Sequence, residues 1–303
     1  MKKEISIIID NDPSKNYEKE KWIYILFTPI MFLLTFWVVI KKLILGPNLK
    51  TNSFWVDGIS PISREIKEGA QGWRAIDILY NYKFGKEKGI VGKISDFWLK
   101  TLNAQAIRNR FKIVKQCLRG EIERIRQTTT EIRILSIASG SAQAVIEVME
   151  EFKKNGVIIN AILLDLDPSA LSHSRILAQK AGVIEQIELI NKNAKETEEI
   201  MKNFKPQIVE VVGFLEYRPK EGAIRLIERI YRLLNANEVF LTSTVTPNSE
   251  TLFLHYVVNW PMIHRTLKQF IEILTRGGFK TKDIKIIYDP LKIQKIAICR
   301  KTT

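Results

Sequence analysis

The chain has 303 residues, with 47 Lys+Arg against 33 Asp+Glu and a formal net charge of +14, a length that suits one main core plus a smaller appendage. Its only cysteines, Cys117 and Cys299, lie far apart without CxxC or His-Cys spacing, which excludes a disulfide framework or zinc site and fits a reducing compartment. The positive excess points to an acidic partner, either nucleic acid or an anionic membrane surface, and much of it falls between Lys41 and Thr130, with 18 Lys+Arg against 8 Asp+Glu.

Residues 1–21 are polar and mixed in charge, with the turn cluster Asn11-Asp12-Pro13-Ser14, and are expected to form a flexible tail. From Trp22 to Ile40 there is no charge, and the apolar run resumes after Lys41 and Lys42 to Leu45. A bilayer core takes roughly 20 apolar residues in a helix, so 22–45 are expected to form a transmembrane or membrane-anchoring helix. A secretory signal is the rival reading, but the segment is long and lacks a small-residue cleavage site. A buried hairpin, or a hydrophobic helix covering the rest of the chain, is the other.

Residues 46–130 form a basic linker and helical region. Trp73, Ile76, Leu79 and Tyr80 give a short helical stripe. A longer helix is expected over about 105–126, where Ile107, Phe111, Val114, Leu118, Ile122 and Ile125 recur at steps of 3 and 4. Its opposite face carries Arg108, Arg110, Lys112, Lys115, Arg119, Arg124 and Arg126, which the pattern places in solvent or against anionic headgroups.

From Ile132 strands and helices alternate, which requires a parallel sheet with helices on both faces. Strands are expected at 132–137, 158–164, 187–190, 208–212, 239–244, 284–288 and 293–300, with helices over 142–152, 168–181, 195–203, 220–235 and 267–275. Asp167-Pro168 and Thr266 supply helix starts, and Gly182 and Gly277-Gly278 supply stops. Asp289-Pro290-Leu291-Lys292 is too short for a crossover, so the last two strands must be an antiparallel hairpin.

Four stretches in this order resemble the class I S-adenosylmethionine-dependent methyltransferases over residues 131–303. The turn Ser136-Ile137-Ala138-Ser139-Gly140-Ser141-Ala142 matches the family's acid-x-Gly-x-Gly-x-Gly, with Gly140 the one glycine kept and Ser136 in place of the acid. Asp165 ends the next strand where the ribose-binding acid lies, followed by Leu166. Asn193 and Ala194 fall in the stretch that meets the adenine, and Val212-Gly213 ends the strand facing the sulfonium and the acceptor. Gly213–Pro219 (Gly-Phe-Leu-Glu-Tyr-Arg-Pro) and Asn259–Met262 (Asn-Trp-Pro-Met) further resemble bacterial methyltransferases with an N-terminal hydrophobic segment.

The resemblance implies a doubly wound, seven-stranded Rossmann-like sheet with a terminal antiparallel hairpin, preceded by a helical region and a hydrophobic N-terminal helix. It implies S-adenosylmethionine as cofactor, held at Ser136, Ala138, Ser139, Gly140, Asp165, Leu166, Asn193, Ala194, Val212 and Gly213. Methyl transfer needs alignment first and a base only for a protonated acceptor, so Glu216, Tyr217, His255 and His264 are the candidate catalytic residues. His255 and His264 belong to a long segment, 243–265, suited to a lid or acceptor pocket; His173 is expected at the surface. The resulting expectation is a membrane-anchored methyltransferase facing the cytoplasm and acting on a small-molecule or lipid-like acceptor. A cofactor-binding but inactive scaffold stands as the alternative, as does a nucleic-acid-associated protein using the basic helix. The chain shows neither an RNA-recognition aromatic motif nor a zinc knuckle, which argues against nucleic acid.

Overall fold

The structure, a computed structural model, describes residues 5–47, 49 and 57–302. Among the described residues eight strands form one sheet: β1 (Ser6–Ile9), β2 (Glu131–Ile137), β3 (Ile158–Asp165), β4 (Ile187–Asn191), β5 (Ile208–Val211), β6 (Val239–Val245), β7 (Ile284–Tyr288) and β8 (Gln294–Arg300). Their order is β1-β7-β8-β6-β5-β2-β3-β4, with β8 the one antiparallel strand. The seven strands read from the sequence are all present, with ends that differ by one residue at most. The β7–β8 hairpin is pinned by Asp289, whose carboxylate accepts from the amides of Leu291, Ile293 and Gln294 at 2.7–3.0 Å.

The eighth strand corrects the expectation of a flexible N-terminal tail, although residues 1–4 lie outside the described part. β1 adds in parallel to the edge of β7, with Ser6 opposite Lys285 and Ile9 opposite Tyr288. The chain then runs along a long helix, where Tyr17 is buried and hydrogen-bonds Asp10 at 2.8 Å.

That helix, α5 (Leu102–Ile125), follows α1 (Trp22–Leu45), α2 (Pro61–Glu68), α3 (Trp73–Asn81) and α4 (Gly89–Trp98). The expected solvated basic face holds only in part: Arg126 is exposed and Lys112, Lys115, Arg119 and Arg124 are half-buried. Arg108 and Arg110 are buried, Arg108 forming an ion pair with Glu18 of the N-terminal arm, while Lys115 and Arg119 pair with Glu147 and Glu151. The cause is that α5 packs on neighbours from two sides, against α6 (Gln143–Lys154) and β8. Its N-terminus is capped from the distant 246–266 segment, where the Glu250 carboxylate accepts from the amides of Leu102 and Asn103 at 2.8 and 2.9 Å.

Strand alternation places the two sheet faces in separate cores. Ile132, Ile134 and Ile208 join the face covered by α5 and α6, while Leu135, Ile137, Val209 and Val211 join the other, under α9 (Lys220–Leu233) and α11 (Leu267–Arg276). By the same period of two, Ser136 and Glu210 belong to the α5 face. A third core joins Met31 and Val38 of α1 to Trp98, Ile107, Phe253 and Trp260, so α1 rests along α10 (Thr251–Tyr256).

Candidate active site

β2 has β3 on one side and β5 on the other, so the chain reverses its winding direction beside β2 and leaves a crevice at the carboxyl ends of these strands. The turn after β2 lies there. Ala138, Gly140 and Ala142 all take left-handed backbone, with φ of 52°, 55° and 49°. These are the three alternate positions where the family pattern has glycine, so the turn keeps the glycine conformation with methyl side chains at two of them.

The turn and the acid of the next strand are in direct contact. Asp165 Oδ2 accepts from the Gly140 amide at 2.8 Å, its Oδ1 accepts from the Asp167 amide at 2.9 Å, and the Ser139 amide donates to the Leu164 carbonyl at 3.1 Å. Each carboxylate oxygen retains a lone pair for a hydroxyl donor. Asp167 itself caps α7 (Pro168–Lys180), its side chain accepting from the Ser169 amide at 2.8 Å.

The crevice is closed into a cavity of about 440 Å³ by the helical region before the sheet. α3 lies over the turn: a Cβ on Gly140 would meet the Trp73 Cβ at 3.4 Å. Trp73 stacks on His173 with centroids 4.6 Å apart and donates to Ser169 at 2.9 Å, while Asp77 faces His173 at 3.2 Å. His173 is therefore a clasp between α3 and α7, not a free surface residue. Asn81 and Gln143 exchange two side-chain hydrogen bonds at 3.0 Å, tying α3 also to α6.

Of the residues singled out in the sequence, Ala138, Ser139, Gly140, Asp165, Val212, Gly213 and Tyr217 line this cavity. Ser136 lies beneath it, fully buried, and hydrogen-bonds Glu210. Leu166 is 66% exposed outside the cavity lining. Asn193 caps the turn beginning at Ala194 in a reciprocal box with Glu196, and neither Asn193 nor Ala194 reaches the cavity. Glu216 is buried behind the wall against Arg110. The two histidines are not brought to the site. His255 is exposed with its ring edge-on to Tyr256, and His264 Nδ1 contacts the Met262 carbonyl, with burial lowering its pKa. Nor does any residue of 243–265 line the cavity; that segment acts as a brace, capping α5 through Glu250 and donating from Trp260 Nε1 to the Tyr217 hydroxyl at 2.6 Å.

Sequence reasoning missed Glu210, Arg110 and the aromatic wall of Trp73, Tyr80, Phe111 and Phe214. Glu210 had a signal, as the one acid inside Ile208-Val209-Glu210-Val211-Val212. Burial pushes its carboxyl up to about 7, against the Ser136 hydrogen bond and the Arg110 charge, which favour ionisation. Burial likewise raises Glu216 against Arg110. For Arg110 burial opposes the charge, but Tyr80 and Glu216 outweigh it and hold the pKa above the usual arginine value. Ser139 Oγ is buried without a hydrogen-bond partner at the cavity wall, a polar group left for a ligand.

A parallel sheet with a left-handed small-residue turn, an acid on the next strand in contact with it, and a terminal antiparallel hairpin defines a class I methyltransferase, whose cofactor is S-adenosylmethionine. The residues present fit that compound: a cramped turn, a carboxylate suited to paired hydroxyls, and a cavity with buried charges. Similar solved structures share the fold. A "possible exported protein" of Bordetella parapertussis is 15% identical, with 97% of this chain and 100% of that one covered at a TM-score of 0.64. Magnesium protoporphyrin IX methyltransferase of Synechocystis, solved with bound SAH, is 13% identical over 76% and 92%, TM-score 0.53. An O-methyltransferase family protein of Burkholderia thailandensis is 13% identical over 81% and 72%, TM-score 0.51. No curated protein matches the sequence. The chain belongs to the family described as "Putative methyltransferase", whose model matches residues 43–300.

Proposed function

We propose that the enzyme methylates a small, largely apolar or lipid-like acceptor, taken up at the cytoplasmic face of a membrane on which α1 rests. The observation that carries this reading is the aromatic wall of the cavity: Tyr80, Phe111, Phe214 and Tyr217 face the space beside Val212 and Gly213. Flat, weakly polar surfaces of this kind bind apolar or aromatic molecules and orient them through a few polar groups.

Bound S-adenosylmethionine supplies a methyl group activated by a positively charged sulfur. The protein's share is alignment and exclusion of water. Asp165 and the turn hold the nucleoside end, and α3 closes over the turn. Tyr217 accepts from Trp260, which fixes its ring and leaves its own hydroxyl proton to donate to the acceptor. Burial and the neighbouring Glu216 raise the Tyr217 pKa, so it serves as a donor, not as a base.

α1 supports the membrane part of the reading. It is long and apolar enough to cross a bilayer by length and composition. Met31, Thr35 and Val38 form its buried stripe, while Ile25, Leu26, Phe32, Leu33, Phe36 and Trp37 are exposed. A helix held at its middle against a water-soluble body cannot place that middle in hydrocarbon while the body stays outside. Lying in the interface, with the outer face in the acyl region and Lys41 and Lys42 at the headgroups, satisfies both.

The test is transfer of labelled methyl from S-adenosylmethionine to a lipid extract, with the full-length protein reconstituted on vesicles. Label in the organic phase supports the reading. Label appearing only in added RNA overturns it.

A further inference from the structure

The family pattern expects an acid at the end of β2, and Ser136 stands there instead. Directly across the ladder, in register with Ser136, is Glu210 of β5. The two side chains share the α5 face of the sheet and are hydrogen-bonded to each other, and Glu210 lines the cavity while remaining 8% exposed. The carboxylate has moved one strand sideways.

A charge of opposite sign lies on the same cavity wall. Arg110 of α5 is 3% exposed, and its Nη1 would lie 3.4 Å from a Cβ built on Gly213. Its side chain is incompletely satisfied. Nη2 donates to the Tyr80 hydroxyl at 3.1 Å, Nη1 reaches Glu216 only at 3.5 Å, and Nε is buried without a partner. No ion pair joins Arg110 to Glu210 among the described residues, although Arg110 is near enough for its charge to act on that carboxyl. The buried Glu210 anion is costly in the empty protein, while the Arg110 cation on the same wall is held by Tyr80 and Glu216 and still keeps an unused buried donor. They match a ligand end that carries both charges.

We propose that Glu210 and Arg110 hold the α-amino-acid end of S-adenosylmethionine, Glu210 receiving the ammonium and Arg110 the carboxylate. The assignment rests on the cavity being the cofactor site. Gly213 sits at φ 77°, a conformation that favours glycine, with its backbone against the guanidinium. It also makes cofactor binding depend on a helix outside the alternating β/α part of the chain.

Calorimetric titration of the full-length protein with two probes tests this: S-adenosylhomocysteine, which has the amino-acid end, and 5′-methylthioadenosine, which lacks it. Glu210→Gln and Arg110→Met each weaken S-adenosylhomocysteine about 10- to 100-fold and leave methylthioadenosine within about twofold, the size expected for a charge-assisted contact. The exchange variant Ser136→Glu with Glu210→Ser, which returns the acid to β2, recovers most of the loss, as does Arg110→Lys in part. Equal weakening of both probes overturns the assignment, because the change would then be a general loss of the site. Unchanged S-adenosylhomocysteine binding overturns it too and leaves Arg110 to an acceptor carboxylate. Wild-type protein that binds neither probe overturns the cofactor reading itself.

Discussion

Glu210→Gln separates a residue kept for stability from one kept for a ligand. In the folded chain burial raises the carboxyl from 4.5 to about 7, and the groups facing it are Ser136 from β2, Arg110 from α5 and the Val212 amide on its own side of the turn. Each pH unit between those values corresponds to about 1.4 kcal/mol, so the ionised carboxylate costs the ligand-free protein about 3 kcal/mol at pH 8. The sign follows from the direction of the shift: protonation favours the folded state, so this group's contribution falls as pH rises from about 4.5 to about 7 and is level above that. Gln keeps the shape and a partner for Ser136 without the charge. The variant is therefore more stable than wild type by about 3 kcal/mol at pH 8, a rise in unfolding temperature of about 5 °C or more for a chain of this size. The advantage shrinks through neutral pH and vanishes below about 4.5. Urea unfolding of both proteins at pH 5, 6.5 and 8 measures it. A variant no more stable than wild type at pH 8, or an advantage that does not depend on pH, refutes the claim that a charged Glu210 is held at a cost. Gained stability with weakened cofactor binding is the signature of a functional acid.

Further outcomes follow from the site and from the membrane role proposed for α1. Ala138→Gly relieves a left-handed alanine at φ 52°; it raises stability by about 0.5–1 kcal/mol once the extra chain entropy of glycine is counted, and chemical unfolding shows it. Ala142→Val lowers it, since a β-branched side chain resists that conformation. Asp165→Ala removes the proposed ribose contact together with the anchor of the Gly140 and Asp167 amides, so titration with S-adenosylhomocysteine shows a loss of about 100-fold or more; equal heats for the two proteins remove the ribose role. Replacing the exposed Phe32, Leu33, Phe36 and Trp37 by Ser abolishes co-flotation with phosphatidylglycerol vesicles while leaving the fold intact, because these side chains leave the buried stripe of α1 untouched. Deleting residues 1–46 is a poorer test, since it also removes β1 and the Glu18 partner of Arg108.

The parts of this protein legible in its sequence are those that a short stretch determines alone. Apolar runs alternating with amphipathic helices imply a parallel sheet, a four-residue link forces the last hairpin, and Asp167-Pro168 starts a helix wherever it is placed. The turn and Asp165 were readable because one strand-turn-helix-strand unit carries both, and the structure joins them at 2.8 Å. Local pattern records whether a position faces core or water only when one neighbour sets the answer. α5 has neighbours on two sides, so its basic face, which reads as solvated, holds the buried Arg108 and Arg110. The N-terminal arm looked polar enough to be free, yet β7 offered an unpaired edge and β1 filled it.

Tertiary structure alone decided which charges share the cavity. Ser136 and Glu210 are 74 residues apart and meet through strand register, while Arg110 reaches the same cavity because α5 packs on the sheet face where that register points. No sequence window contains such a pair. The histidines show the converse, since residue type suggested chemistry and packing placed them elsewhere. Composition and periodicity specify the elements, and the cavity's charges are set by the register and packing of elements far apart in the chain.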